Sequence, residues 1–369
     1  MSRIRFLFRQ DSADAWTSNN PTLAAGEIGV ELDSANGVSP KFKIGNGILA
    51  WNDSSFNYFI NDSDQSALAG AGGGASGASF EWGGDRGLFI QGYTTDWANG
   101  VDYFDITTAG NAADFGDTSS ARREEGAVSD GNRVVVIGGQ LSASSSYAPV
   151  NIMEYFSTAT PGNATDFGDQ LNNRYGCSCA SDGTKGFAAG GWTGSVNENS
   201  IQVITIATPS NATDFGDLTS GRNTRDSGIS DGTYALFPSD ATQIDYITTA
   251  SASNATDFGD LLANGGKAGG CCDGTYGLFA GQTSDNNQIQ YVTVATPANA
   301  SDFGDLTVAK ENLSTTSNST TAAFCGGTVA NVAQNVIETL TIQTLGNASD
   351  FGDLTLAASA STSSSGNAA

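Results

Sequence analysis

The chain has 369 residues, with 15 Lys and Arg against 39 Asp and Glu, no His, and a formal net charge of −24. Such acidity argues against a nucleic-acid partner, whose binding rests on cationic contacts to phosphate, and against an anionic membrane surface. The lack of histidine excludes Ser-His-Asp and Cys-His catalysis, imidazole-ligated zinc, copper and haem sites, and histidine pH switching. Phe 19, Tyr 10 and Trp 5, spread evenly among Gly, Ser, Thr, Asn and Ala, predict many short strands joined by polar turns.

The first 60 residues stand apart, because they hold five of the fifteen basic residues and no copy of the later repeat. The apolar stretch at the N-terminus is broken by Arg3 and Arg5 and is too short for a signal-peptide core, and no apolar run reaches 18 residues. A soluble chain without a membrane-inserted segment is expected. Cys177, Cys179, Cys271, Cys272 and Cys325 form no CxxC pair. They read as small apolar strand residues in a protein made in a reducing cytoplasm, rather than as a redox or metal site. Arg3, Arg5 and Arg9 alternate along a predicted strand, as either a solvated face or a docking face for an acidic partner.

Two segments carry a family resemblance. Asp14-Ala-Trp-Thr-Ser-Asn-Asn-Pro-Thr-Leu-Ala-Ala-Gly-Glu-Ile-Gly-Val-Glu31 and Lys41-Phe-Lys-Ile-Gly-Asn-Gly-Ile-Leu-Ala-Trp-Asn-Asp53 resemble the N-terminal module of bacteriophage tail-fibre and appendage proteins. Related modules open major tropism determinants and phage hyaluronidases. The resemblance implies a small β-rich unit, often trimeric, that attaches a fibre to the virion. Residues 1–65 are therefore expected to bind other virion proteins and to assemble a homotrimer. Residues 66–78, rich in Gly and Ala, read as a linker that cannot build a core.

Beyond the linker, Asp-Phe-Gly-Asp recurs six times, starting at Asp114, Asp166, Asp214, Asp257, Asp302 and Asp350, at intervals of 52, 48, 43, 45 and 48 residues. That period with strand composition is the mark of a β-propeller, one blade per repeat. Each unit divides into a small-residue strand such as 126–129, an Asp-Gly turn expected to be type I′, and a second strand often ending in Gly-Gly. An alternating third strand such as 201–206 and the Asp-Phe-Gly-Asp segment as a short outer strand complete it. The motif phenylalanines Phe115, Phe167, Phe215, Phe258, Phe303 and Phe351 are expected to plug the space between blades. A basic residue lies five positions after the second motif Asp at Arg122, Arg174, Arg222 and Lys310, seven after at Lys267, and the last unit has Ala358 instead. This order is similar to the kelch propeller repeat, which usually carries Trp where these units have Phe. The expected fold is all-β: a small N-terminal β-rich module and, over 79–369, a six-bladed kelch-like propeller of four-stranded blades. Its ring is expected to close through a shared blade, with tail residues 361–365 innermost, followed by 85–92, 101–108 and 112–118; the competitor for the innermost place is 78–82, whose Phe80 and Trp82 suit a crowded axis less well than the tail's small residues.

Other motifs read as structural. Six copies of Asp-Phe-Gly without a His-Arg-Asp loop are turns rather than kinase magnesium sites, and the units lack the oxygen ligands of an EF-type calcium loop. Sequons at Asn163, Asn211, Asn254, Asn299 and Asn347 read as side chains satisfying backbone groups in turns. No catalytic residue, metal site or cofactor is expected. The loops between second and third strands vary in length, and loops on a rigid scaffold are where function is usually grafted. The first three carry Tyr93, Trp97, Tyr147 and Trp192, suited to stacking on sugar rings, or alternatively to covering blade edges. The resemblances together imply a virion protein, assembled in the host cytoplasm, that binds a host-surface glycan or protein through these loops. The alternatives are a polysaccharide depolymerase and a collar or capsid decoration protein without a receptor.

Overall fold

The computed structural model describes residues 9–11, 22, 28–31, 41–44, 84–142, 147–225, 227–282 and 286–366. The chain divides into two compact units, Met1–Ser79 and Phe80–Ala369. In the first, Arg9–Asp11 runs parallel to Ile28–Glu31, which pairs antiparallel with Lys41–Ile44. Arg9 therefore opens a strand, while Arg3, Arg5 and the linker at 66–78 lie outside the described residues.

The second unit is a six-bladed β-propeller. Each blade lies between two neighbours, so its strands are covered on both faces. The second strands show this: Arg133–Ile137, Lys185–Ala189 and Tyr276–Ala280 each have one half-buried residue and then four buried ones. The innermost strands, such as Gly126–Ser129 and Ser178–Ser181, use small residues because the axis is crowded. A Cβ on Gly126 would overlap Cys179 Sγ. The motif phenylalanines fill the gaps between blades as expected. Phe115 on the first blade meets Phe156 on the second edge to face, with centroids 6.0 Å apart.

The ring closes as the tail predicts. Thr362–Gly366 pairs antiparallel with Arg86–Ile90, and that sheet continues through Ala98–Asp105 and Ala113–Arg123. The strand limits differ from the expected ones by up to five residues, most at the far end of Ala113–Arg123. There Arg122 and Arg123 run on to pair with Leu141 and Gln140. The second blade's loop between second and third strands is partly a hairpin, Gln140–Ser142 with Tyr147–Pro149, which gives the first sheet six strands.

The Asp-Gly turns differ from the type I′ expectation. Only the glycines take positive φ: 86° at Gly131, 82° at Gly183, 86° at Gly232 and 88° at Gly274. The Asp instead closes the turn with its side chain, as Asp130 Oδ1 accepts from Asn132 N (3.0 Å) and Arg133 N (2.8 Å).

The repeat motif is an inter-blade clasp. Asn163 Oδ1 accepts the Asp117 N–H of the preceding blade at 3.1 Å, and Asn211, Asn254, Asn299 and Asn347 do the same for Asp169, Asp217, Asp260 and Asp305. Asn111 completes the circle by accepting from Asp353 at 3.1 Å. The motif glycine permits the approach, since a Cβ on Gly116 (φ 148°) would strike the Gly162 carbonyl oxygen.

A second ring of contacts lies deeper. Every third strand buries one polar residue at the same place: Asp102, Glu154, Gln202, Asp245, Gln290 and Glu338. Five of them accept a backbone N–H from the connection leaving the preceding blade, at Thr355, Ser119, Leu171, Thr219 and Leu262. Glu338 takes the Thr307 hydroxyl instead. The buried basic residues match this ring in charge. Arg122 pairs with Glu154, Arg222 Nη2 lies 2.6 Å from Asp245 Oδ2, and Lys310 Nζ lies 3.4 Å from Glu338 Oε1. Arg174, facing neutral Gln202, donates instead to Gln170 Oε1 (3.1 Å) and the Gly190 carbonyl (2.7 Å). At the closing junction Ala358 supplies no cation. Burial therefore holds the Asp102 carboxyl above its usual range, although Thr355 and Gln91 donate to it.

Candidate binding face at the channel mouth

In a four-stranded antiparallel blade the loop between second and third strands and the connection to the next blade emerge at the same end. All variable loops therefore gather on one face, around the mouth of the axial channel. The channel is a cavity of ≈ 90 Å³ walled by the six innermost strands, among them Val128, Cys179, Ile229, Cys271, Thr316 and Ser363.

The rim of that mouth is built from backbone held in an unusual conformation. Just before the innermost strand, five of the six blade connections place a residue with left-handed φ: Glu124 (57°), Gly176 (68°), Arg225 (52°), Asn312 (58°) and Ala360 (49°). Four of these are not glycine, and each such residue costs about 1–2 kcal/mol. Hydrogen bonds tie them around the axis: Glu124 N to Ala360 O (2.9 Å), Gly176 N to Glu124 O (2.8 Å), Arg225 N to Gly176 O (3.2 Å) and Ala360 N to Asn312 O (3.2 Å). The fifth blade interrupts this backbone circle, since its connection carries two extra residues before Lys267. Side chains span the gap: Arg225 donates to Asn312 Oδ1, and Lys267 pairs with Glu311. A small cleft of ≈ 10 Å³ lies there, lined by Arg225, Lys267, Asn312 and Ser361 among others.

Charge concentrates on this rim. Arg225 Nη2 lies 3.0 Å from Glu124 Oε1, and Arg123 Nε lies 3.8 Å from the same oxygen. Arg123 also lies over the Trp97 ring, 4.9 Å from its centroid. Trp192 bridges through its backbone to Tyr175 and Asn197, and burial, helped by Glu124, raises the Tyr175 hydroxyl pKa. Aromatic faces and both signs of charge thus surround one half of the mouth. Six exposed apolar side chains, Leu171, Val196, Leu262, Val308, Val332 and Leu356, stand on loops and connections of the same end.

The loop aromatics expected to bind are placed as follows. Tyr93 is 37% exposed and pairs with Trp97 across its loop. Trp97 and Trp192 are half-buried, on the first and third blades, with the second blade's hairpin between them. Tyr147 opens the outer strand of that hairpin; its side chain lies outside the described residues. The rim residues Arg123, Glu124, Tyr175, Arg225, Lys267, Glu311 and Asn312 were not legible as a site. The available signal was the run Arg122-Arg-Glu-Glu125, four successive charges in a chain only 15% charged.

Glu125 lies immediately beneath the rim. Its carboxylate is fully buried and neither oxygen has a hydrogen-bond partner. Arg122, 3.8 Å away, is engaged by Glu154, so burial prevails and pushes the Glu125 pKa from 4.5 to about 8. An acid raised in the folded state binds its proton more tightly there than in the unfolded chain. Its contribution to stability is therefore full below about pH 4.5 and is lost as pH rises through about 8. Glu125→Gln should flatten the fall in urea-unfolding midpoint between pH 5 and 8.5 relative to the parent chain. Parallel profiles would show that Glu125 does not titrate in that window.

The cysteines are buried, and burial pushes the Cys325 thiol to about 12 and that of Cys271 higher still. Among the described residues no group of three or more Cys, Asp or Glu is placed to hold a metal ion. No protein-family model matches the chain, and no curated protein matches it.

Proposed function

We propose that the chain is a phage virion fibre or appendage subunit. Residues 1–65 attach it to other virion proteins and assemble it as a homotrimer, and the kelch-like propeller binds a host-surface glycan or protein. The N-terminal resemblance supports the virion role. The observation that carries the binding role is the asymmetry of the propeller. One end alone gathers the variable loops, the strained rim, the Trp97–Arg123 pair, Trp192 with Tyr175, and six exposed apolar side chains. Backbone strain held at one place marks functional sites. Aromatic faces beside Asn, Glu and Arg stack on sugar rings while the polar groups take the hydroxyls.

The test is adsorption. The double variant Trp97→Ala, Trp192→Ala should lose at least ten-fold in binding of purified protein to host cells, with thermal unfolding shifted by only a few degrees. Both rings are half-buried, so truncation removes little core. Unchanged adsorption would remove these loops from the contact. Release of reducing sugar ends from host envelope glycans by the parent chain would make it a depolymerase instead.

A further inference from the structure

The charges at the channel mouth are layered. Arg123 Nε lies 3.8 Å and Arg225 Nη2 3.0 Å from the same oxygen, Glu124 Oε1, and Lys267 pairs with Glu311. In each pair the carboxylate is the inner partner. The Glu124 side chain is 4% exposed and that of Glu311 14%, whereas those of Arg123, Arg225 and Lys267 are 23%, 27% and 33% exposed. The acids support the cations from below, and the cations face solvent. Three cations share two carboxylates, so the pairs do not neutralise one another. Glu125 beneath them keeps its proton up to about pH 8 and adds no charge at neutral pH. In a chain of net charge −24 this is a local inversion of sign, on the face where the variable loops gather.

These cations form a continuous track that ends on an aromatic ring. The Arg123 guanidinium lies over Trp97, 4.9 Å from its centroid. Tyr175, whose hydroxyl senses Glu124, Arg123 and Arg225, stands beside the middle of the track. Arg225 donates to Asn312 Oδ1, and Asn312 follows Glu311, the partner of Lys267. The cleft of ≈ 10 Å³ lined by Arg225, Lys267, Asn312 and Ser361 has room for about one water-sized atom. A guanidinium fork and an ammonium around such a gap suit one oxygen of a carboxylate or phosphate. Ion pairs with a solvent-facing partner are weak, so these cations can turn to an incoming anion at little loss.

From the outward cations, the shared carboxylates and the cleft, we infer that the mouth selects acidic glycans. An oligosaccharide lies along the track, with a sugar beside Trp97 and an anionic group, carboxylate or phosphate, at the cleft between Arg225 and Lys267. This rests on the proposal that this face binds a glycan, and names the class of glycan it takes.

The test titrates the full-length chain at low salt with two matched pairs of probes: tetragalacturonate against its methyl ester, and phosphorylated mannotetraose against mannotetraose. In at least one pair the anionic member should bind about ten-fold more tightly, and the gap should shrink as salt is raised. The pair that shows the gap identifies the anion as carboxylate or phosphate. Lys267→Gln should narrow the gap several-fold. Glu311→Gln, which frees Lys267 from its partner, should widen it, a gain that a damaged fold would not produce. Neither variant should alter binding of the neutral members. If charged and neutral members bind alike, or both variants leave the gap unchanged, the inference is overturned while the glycan-binding reading stands. If none of the four probes binds, adsorption to host cells decides. Lys267→Glu must then weaken adsorption and Glu311→Gln strengthen it. Adsorption unchanged by both overturns the inference, and the reading itself is judged separately by the Trp97, Trp192 double variant.

Discussion

Asp245→Ala should destabilise the propeller by about 3–5 kcal/mol, the usual result of removing one partner from a buried ion pair. Arg222 and Asp245 are both fully buried, with the guanidinium Nη2 2.6 Å from the carboxylate. Burial lowers the Arg222 pKa, and Asp245 is the group that opposes this most. Without the carboxylate a guanidinium remains in the blade junction with the carbonyls of Phe237 (3.0 Å) and Ser220 (3.3 Å) and two weak hydroxyl contacts, none of them charged. The Thr219 N–H, which donates to Asp245 at 2.8 Å, loses its acceptor too. The cost reflects desolvation of the charge left behind, more than the intrinsic worth of the pair. Arg222→Met with Asp245→Leu should therefore recover most of the loss. Gln202→Ala should cost only about 1 kcal/mol, because Arg174 keeps its bonds to Gln170 and Gly190. Urea unfolding of the four proteins checks the order. A loss below about 1 kcal/mol for Asp245→Ala would mean that water reaches Arg222.

That ion pair shows where sequence reasoning stops. The spacing of Arg122, Arg174, Arg222 and Lys310 behind each motif is visible in the chain, but their partners are not. The alternation along 201–206 reads as one buried face and says nothing of a partner for Gln202 on the other. A propeller blade is covered on both sides, and a buried polar residue is intelligible only once the neighbouring blade supplies its partner. The Asn of each repeat was similarly legible as a turn residue, whereas its acceptor oxygen serves an N–H on the preceding blade, as at Asn163 and Asp117. Asn111 does the same work without a sequon, followed as it is by Ala-Ala. What could be read was whatever repeats: the blade count, the Phe plugs, and the unpaired tail that had to fill the missing inner strand. The rim was hidden because its residues share a backbone conformation and not a residue type. Glu124, Gly176, Arg225, Asn312 and Ala360 have nothing in common as letters.

Deleting residues 355–369 should destabilise the whole propeller by more than about 4 kcal/mol, the range reached when several buried contacts fail together. The deletion removes the donors of Thr355 to Asp102, which lie at 2.9 Å from the backbone and 2.7 Å from the hydroxyl. Asp102 is then left buried with Gln91 as its remaining side-chain partner (3.2 Å) and no cation nearby. The deletion also opens the cluster around Phe89, Phe104 and Ile337, where Ala358 is fully buried, and bares the backbone edge of Arg86–Ile90. A free, apolar strand edge recruits other strands, so the shortened chain should also associate in proportion to its concentration. Adding Asp102→Asn to the deletion should restore part of the stability, since a neutral amide is cheaper to leave short of donors than a carboxylate. The edge would remain, so association would persist. Thermal unfolding with light scattering separates the two effects. If the shortened chain melts with the full chain and scatters no more light, the tail is an ornament on a ring already closed by Asn111 and Asp353. A melting loss that Asp102→Asn leaves untouched would place the cost in the bared edge and the opened Phe89 cluster rather than in the stranded carboxylate.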